Sequence, residues 1–515
     1  MTELELKLEL PPASLSHLES LPILRKLQTP ARTEKAVSVY FDTDKQKLRK
    51  NGILLRVRRI GDRHIQTIKA FSGSALFERG EWENEIAGDE PDLSLAGGNA
   101  PGPHLDPKLR GQLKPIFETR VQRRIYRLGR DGCSIEISLD QGRIDTGEQS
   151  QALCELELEL KRGQQEALFE LATRLVETLP ARLAVESKAE RGYNLINGAS
   201  AHPAKAEAPD LHPQMSVAEG ARAVGRCCLK QVAGNAPALL AGDPEGVHEM
   251  RVGLRRLRAA MSTFREIWND PETAAIKHEV KWLTGELASA RELDVLLGRV
   301  VIPARRRSTG LPGLSTISQD LSERRAQAVQ RAKTAVDSPR FRRFLIDLAA
   351  WLEIGHWATS QDDLSHLRSE APIAGFAAAA LRRRWRKLRK KAKALEELDA
   401  RGRHKLRIQG KRLRYSAEFF APLFSGKKAR KRRKTFLSKL KGLQDALGDL
   451  NDIVVHEGLF RANAGLAARA GKQRGDRKRA FAAGLLSGYE QRRFDAALAD
   501  AGRASSALLD TRSFW

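Results

Sequence analysis

Two hydrophobic periodicities divide the chain. Through its first part, apolar and charged residues alternate with period two, as in Glu3-Leu4-Glu5-Leu6-Lys7-Leu8-Glu9, Leu55-Arg56-Val57-Arg58, Ile65-Gln66-Thr67-Ile68-Lys69, Glu81-Trp82-Glu83, Ile135-Glu136-Ile137-Ser138-Leu139-Asp140 and the run from Cys154 to Lys161. Successive side chains of a strand point to opposite faces, so this alternation predicts antiparallel strands with one apolar and one charged face. Helical spacing intervenes near residues 13–27 and 164–179, and the Gly- and Pro-rich stretch 87–107 reads as a long loop. Around residues 199–213 the composition turns to Ala, Pro, His and Lys without periodicity, as a solvated linker does. Beyond it strand signals vanish and helical spacing dominates, with breaks near residues 303–312, Pro339, Pro372 and Gly426.

The helical part contains a repeat. Residues 248–264, HEMRVGLRRLRAAMSTF, align without a gap on residues 404–420, HKLRIQGKRLRYSAEFF, at an offset of 156. At 100° per residue His248, Arg251, Arg255 and Arg258 fall within an arc of about 80°, beside an apolar arc of Met250, Leu254, Leu257, Met261 and Phe264. His404, Arg407, Lys411 and Arg414 repeat the basic stripe, and each copy is followed by an acidic helical segment around Asp294 or around Asp449 and Asp452. Two related helical bundles are expected.

Charge sharpens the division. The chain carries 90 Lys and Arg against 64 Asp and Glu, but residues 1–200 hold 30 of each sign, so the whole net charge of +26 lies beyond residue 200. Such an excess calls for a polyanionic partner. DNA or RNA would meet the same electrostatics, yet none of the Trp residues of the second part is interleaved with the stripes as a base-stacking platform requires, which disfavours nucleic acid. The four cysteines show no C-x-x-C spacing and read as thiols of a reducing compartment. With no signal-peptide pattern and no apolar run of membrane-spanning length, a cytoplasmic protein without a membrane partner is expected.

In the strand-rich part the charges segregate by sign: Glu3 and Glu5 on the first strand, Glu155, Glu157 and Glu159 on the last, Arg56, Arg58 and Lys69 between. A sheet closed into a barrel with these faces inward would make a wet tunnel, electrostatically costly without ions. Carboxylates holding Mg²⁺ or Mn²⁺ and cations clamping a polyphosphate would offset that cost, which is a phosphoryl-transfer arrangement. No G-x-x-x-x-G-K-[ST] loop is present to indicate ordinary NTPase chemistry.

Glu3-x-Glu5-x-Lys7 resembles the E-x-E-x-K signature of the CYTH, or triphosphate tunnel metalloenzyme, family. YFDT at Tyr40–Thr43, LLRVR ending at Arg58, TIK ending at Lys69, R-G-E at Arg79–Glu81, IEISLDQG, CELELEL and SKAERGY extend the likeness over residues 1–198, toward the inorganic triphosphatase branch. The two stripes resemble the CHAD family, helical domains associated with inorganic polyphosphate, over about residues 216–505. The resemblances imply an α+β chain: an antiparallel β-barrel tunnel with flanking helices at 1–198, a linker at 199–215, and an all-α domain of two repeated bundles at 216–515.

Carried over by position, the metal-binding carboxylates would be Glu3, Glu5, Asp140, Glu155 and Glu157, with Mg²⁺ or Mn²⁺. The substrate-binding cations would be Arg56, Arg58, Lys69, Arg120, Arg123, Lys188 and Arg191, and Glu3, Glu5, Lys7 and Lys69 would serve catalysis. Which of Glu81, Glu83 and Glu85, and of Arg120, Arg123 and Arg124, face the lumen stays open, as does the role of Glu159. The implied reaction is metal-dependent hydrolysis of triphosphate to pyrophosphate and phosphate. His248, Arg251, Arg255, Arg258, His404, Arg407, Lys411 and Arg414 would bind polyphosphate. The alternatives are a non-catalytic polyphosphate-binding protein, a thiamine triphosphatase and a class IV adenylate cyclase.

Overall fold

The computed structural model describes residues 4–22, 32–70, 80–95, 109, 111–130, 132–198, 202–307, 313–359, 363–470 and 474–515. Glu3 and Arg79 lie outside the described residues. The chain packs into two compact units. One comprises Met1–Asp210 with Arg226–Ala241 and Ala335–Thr359, the other Leu211–Gly225, Gly242–Thr334 and Ser360–Trp515. No described helix is long and apolar enough to cross a membrane.

The first unit is built on nine strands: β1 (Leu4–Glu9), β2 (Arg32–Asp42), β3 (Ile53–Ile60), β4 (Arg63–Ala70), β5 (Gly80–Ile86), β6 (Lys114–Arg130), β7 (Cys133–Asp145), β8 (Ser150–Arg162) and β9 (Arg182–Leu183). They form one antiparallel sheet in the order β5-β4-β3-β2-β6-β7-β8-β1-β9. Among the described residues the pairing runs from β5 to β9 without closing on itself, so the sheet is open where a closed barrel was expected. It is nevertheless curled. Arg58 on β3 lies close enough to Glu157 on β8 for their charges to interact, although four strand spacings separate them in the pairing order. In a flat sheet those spacings would amount to about 19 Å.

Register explains which side chains meet. Lys7 is paired with Glu157, Asp140 with both Arg123 and Glu155, Arg58 with Ser38, and Arg56 with Thr67. All of these project from one face, the concave one. The alternate residues Leu4, Leu6, Leu8, Ile135, Ile137, Leu139, Leu156 and Leu158 are buried on the other face. There the helix Gln165–Thr178 packs on β1 and β8 through an apolar side that includes Leu168, Leu171, Leu175 and Val176. The pairing of β2 with β6 is broken at one point, while β6 keeps its alternation along β7. β2 shifts register at Tyr40/Phe41, and β6 carries adjacent Arg123 and Arg124 on opposite faces.

The second unit is helical, and its repeat is expressed in backbone geometry. Val217 N donates to Ala371 O (2.9 Å) and Ile373 N donates to Met215 O (3.0 Å), a reciprocal exchange at the 156-residue offset. The repeat helices Pro244–Thr263 and Ala400–Phe419 begin at equivalent caps, where Asp243 accepts from Glu245 N and Asp399 accepts from Gly402 N. Equivalent Phe264 and Phe420 meet edge to face with ring centroids 6.0 Å apart. The helix Lys427–Ala470 packs against Ala400–Phe419 and pairs along its length with Arg474–Leu509.

Candidate functional site

Three carboxylates converge on the concave face of the sheet. Asp140, Glu155 and Glu157 are buried, the first two completely, and offer one oxygen each within 4.8 Å of one another. Asp140 stands directly opposite Glu155 in the β7–β8 register, a like-charge pairing that destabilises a sheet unless cations intervene. Cations do. Lys188 Nζ lies 2.8 Å from Asp140 Oδ2, 2.5 Å from Glu155 Oε1 and 2.7 Å from Glu157 Oε1. Lys7 Nζ is 2.6 Å from Glu157 and 3.0 Å from Glu5. Arg123 donates two 2.7 Å bonds to Asp140 and a third, of 2.5 Å, to Glu157.

Lys188 owes its place to a capping box. Ser187 accepts from Glu190 N, and the Glu190 carboxylate accepts from Ser187 N, fixing the start of the helix Lys188–Ile196. One turn later Arg191 reaches Ala152 O (3.1 Å) and lies 3.6 Å from Glu9. Gly192 sits against the Phe117 ring, where a Cβ would approach to 2.2 Å, so only glycine lets the helix dock there. Asp42 of the YFDT segment plays a structural part: it accepts from the backbone of Thr43, Leu48 and Arg49 and from the Tyr193 hydroxyl.

The carboxyls do not respond alike. Burial pushes Glu157 up, but Lys188, Lys7 and Arg123 hold it well below the usual range. Burial dominates at Glu155, whose pKa is raised, and its Oε2 has no hydrogen-bond partner among the described residues. Three close carboxylate oxygens with an unshared buried oxygen among them form a hard donor set that fits a divalent cation such as Mg²⁺ or Mn²⁺.

Across the concave face the balance inverts. The charge of Arg56, then burial, then Arg123 bring Arg58 down to about 10, and its Nε donates to Ser38 Oγ over 3.3 Å. Arg56 donates to Thr67 Oγ1 (2.9 Å) and lies 3.5 Å from Glu83. Lys69 is half-buried on the same face, in register with Glu81. Of the two hydroxyls that hold these guanidinium groups, Thr67 opens the TIK motif, whereas Ser38 carries no signal that set it apart in the sequence. Arg120 does not join the cluster. The β6 alternation places it, exposed, on the face away from Arg123, where it pairs with Glu118. Arg124 lies on that same face and bonds Gln141. Glu159 pairs with Lys161 (2.5 Å).

In the helical unit the two basic stripes share a cavity of about 580 Å³ lined by His248, Arg251, Arg255, Arg258, His404, Arg407 and Lys411. Arg251, Arg255 and Arg407 each keep a buried Nε–H without a hydrogen-bond partner among the described residues. Burial, then Arg407 and Arg255, press Lys411 down to about 7, against an opposing pull from Asp452. Burial likewise lowers Arg251, to about 10, and His248, the latter helped by Arg291. Arg414 is not among the lining residues and bonds Glu418 (2.7 Å) and Gln444 (3.3 Å) instead. Arg291, Arg299, Arg412 and Tyr415 line the cavity without having been singled out by the repeat. Arg412 differs from the stripe by a single position, and the other cations come from a helix the spacing does not connect.

Two domain families match successive parts of the chain. The CYTH domain family matches residues 1–193 and the CHAD domain family residues 223–461. An inorganic triphosphatase of Haemophilus influenzae is 32% identical over 165 residues; the match spans 31% of this chain and 45% of that protein's length. An uncharacterized protein of Mycobacterium tuberculosis is 27% identical over 510 residues, covering 91% of this chain and 88% of the other. The crystal structure of the CHAD domain from the plant Ricinus communis aligns with a TM-score of 0.51 at 29% identity, over 61% of this chain and 98% of that one.

Proposed function

The chain is a CYTH domain followed by a CHAD domain, and from that premise we propose that its first unit hydrolyses inorganic triphosphate to pyrophosphate and phosphate while its second binds inorganic polyphosphate. The observation that carries the reading is the charge segregation on the concave face, with Asp140, Glu155 and Glu157 on one side and the poorly neutralised Arg58 on the other. The tunnel form of the site belongs to this reading and is supported by the curl that brings β3 toward β8. The likeness to the Haemophilus influenzae triphosphatase favours triphosphate over thiamine triphosphate or ATP.

Asp140, Glu155 and Glu157, joined by Glu5, would hold Mg²⁺ or Mn²⁺. When bound, the cation supplies charge neutralisation and a water of lowered pKa. The chain's own groups do the rest. Arg58, Arg56 and Lys69 present donors to the phosphoryl oxygens, and charge-assisted bonds from a guanidinium fork fix their orientation. Arg123 and Lys7 restrain the acidic oxygens, and Lys188 holds all three carboxylates together. Arg58, repelled by Arg56 and Arg123, gains most from a polyanion because substrate charge relieves that repulsion.

In the helical unit three orphaned guanidinium N–H groups and a lysine pressed toward neutrality describe a cavity short of negative charge. A linear polyphosphate supplies it. A substrate panel tests the enzymatic half: phosphate release from triphosphate, thiamine triphosphate, ATP and long-chain polyphosphate with Mg²⁺ or Mn²⁺. Triphosphate should be turned over fastest. ATP turnover with cyclic AMP as product would replace this reading with the cyclase one. Polyphosphate retention without phosphate release from any substrate would leave the non-catalytic one.

A further inference from the structure

A second basic pocket, of about 180 Å³, opens in the helical unit, lined by Arg265, Arg383, Arg384, Lys387 and Arg412 together with Ser262 and Gln409. Its volume is several times the ~30 Å³ that one water occupies in the liquid. Among the described residues no Asp or Glu lines it. Arg384 forms its half-buried floor and is pinned there, donating to Thr263 Oγ1 (2.8 Å) and lying 3.4 Å from Ser262 Oγ. Burial, and then the charges of Arg412, Arg383 and Arg265, bring its pKa down to about 10. Glu266, which is exposed, lies 3.5 Å from Arg383. Gln409 Oε1 is buried without a hydrogen-bond partner among the described residues, and the opposite amide orientation would put an NH₂ donor in its place.

Duplication does not explain this pocket. At the 156-residue offset, Arg383, Arg384 and Lys387 correspond to Cys227, Cys228 and Gln231, while Ser262 and Arg265 correspond to Glu418 and Ala421. The main cavity is built from both copies of the repeat, but Arg265, Arg383, Arg384 and Lys387 have no cationic counterpart in the other copy, and only Arg412 does, in Arg256. A solvated basic face has no need of a half-buried arginine held by two hydroxyls. Arg412, moreover, lines both cavities, so the two positive regions are continuous through one side chain.

We infer that this pocket is a second phosphoryl-binding site, which takes a stretch of the same polyphosphate chain that occupies the main cavity. The inference rests on the reading of the helical unit as a polyphosphate binder and adds to it a path: the chain passes from the stripe cavity past Arg412 to Arg384 and the rim cations Arg265 and Lys387. Both rim residues are exposed, so replacing them leaves the fold intact.

The test titrates the full-length protein with fluorescent long-chain polyphosphate across a range of salt. The Arg265→Ser/Lys387→Ser variant, with an unchanged melting temperature, should bind about tenfold more weakly and with a shallower salt slope, having fewer phosphates to neutralise. Arg384→Gln should show the same direction of change. If these variants bind as the wild type does while Arg255→Ser binds more weakly, the second site is wrong and the main cavity stands. If Arg255→Ser also leaves binding unchanged, the polyphosphate reading of the unit falls and takes the second site with it. Excess orthophosphate, which competes for each phosphoryl site the chain occupies, should raise the apparent Kd by a larger factor for the wild type than for the rim variant. An equal factor for both would mean that the chain does not occupy the pocket, and would overturn the path.

Discussion

Lys188 Nζ lies 2.5 Å from Glu155 Oε1, while the other oxygen of that buried carboxylate has no hydrogen-bond partner among the described residues. The same ammonium also binds Asp140 and Glu157, so one side chain from a helix start neutralises carboxylates of two strands. Breaking a buried ion pair by removing one partner costs about 3–5 kcal/mol. Lys188→Met should therefore lower the melting temperature in chelator by many degrees. Mn²⁺ or Mg²⁺ should restore part of the loss, because an ion that binds only the folded state stabilises it by mass action. Thermal melts with chelator and with each metal check this, and equal melts under both conditions would count against a cation site at these carboxylates.

Arg58 makes a prediction of opposite sign for stability. Its charge is opposed by Arg56, by burial and by Arg123. Arg58→Met should leave the melting temperature unchanged or slightly higher. It should nevertheless weaken triphosphate turnover, kcat/KM falling about ten- to a hundredfold for the loss of one charge-assisted contact. A melt and a steady-state assay on the same preparation separate the two effects. Full activity with a lower melting temperature would make Arg58 a structural residue.

Lys411 sets a pH dependence for polyphosphate binding. Its pKa in the free protein is about 7, lowered by burial and then by Arg407 and Arg255, with Arg251 adding to the repulsion and Asp452 opposing it. A bound polyanion favours the charged ammonium and raises that value. Binding above pH 7 therefore takes up a proton, and affinity falls as pH rises, by up to about tenfold per unit until the bound-state pKa is reached. Below pH 7 the lysine is already charged and contributes no slope. Lys411→Arg should flatten the profile on the alkaline side, since guanidinium stays protonated there. A Kd measured at constant ionic strength across this range decides it.

Two neighbouring arginines give a positional test. Arg412 lines the cavity, whereas Arg414 is engaged by Glu418 and Gln444. Arg412→Ser should weaken long-chain polyphosphate binding several-fold, and Arg414→Ser should change it little while costing stability. Reversing charge at Arg255 and Lys411 together should weaken binding more than reversing two cations in the run 427–434. Equal losses would mean a diffuse basic surface.

Much of this arrangement was legible because period-two alternation and an ungapped repeat are local patterns. Asp140, Glu155 and Glu157 stand at alternating positions of strands whose register then brings them together. Arg414 shows where such reading stops: its angular position matches Arg258, but the packed helix Lys427–Ala470 supplies Gln444 as a partner, and tertiary contact overrides helical phase. Arg120 fails for a related reason. Alternation puts Arg120 and Arg123 on opposite faces, but only the pairing of β6 with β7, which sets Arg123 against Asp140, assigns the concave face to Arg123. The open edge of the sheet was likewise beyond alternation, since period two fixes faces but not whether the outermost strands pair.

The most direct test of the account is the product analysis of triphosphate incubated with wild-type protein and with Glu157→Gln, in Mg²⁺ or Mn²⁺. Glu157 accepts from Lys7, Lys188 and Arg123 and belongs to the carboxylate trio, so its loss strikes the proposed metal site while leaving the helical cavity untouched. The wild type should release pyrophosphate and phosphate in equal amounts, only when a divalent metal is present. The variant should lose nearly all turnover yet retain long-chain polyphosphate with unchanged affinity. Metal-independent hydrolysis, or full turnover by Glu157→Gln, would contradict the assignment of these carboxylates to the reaction.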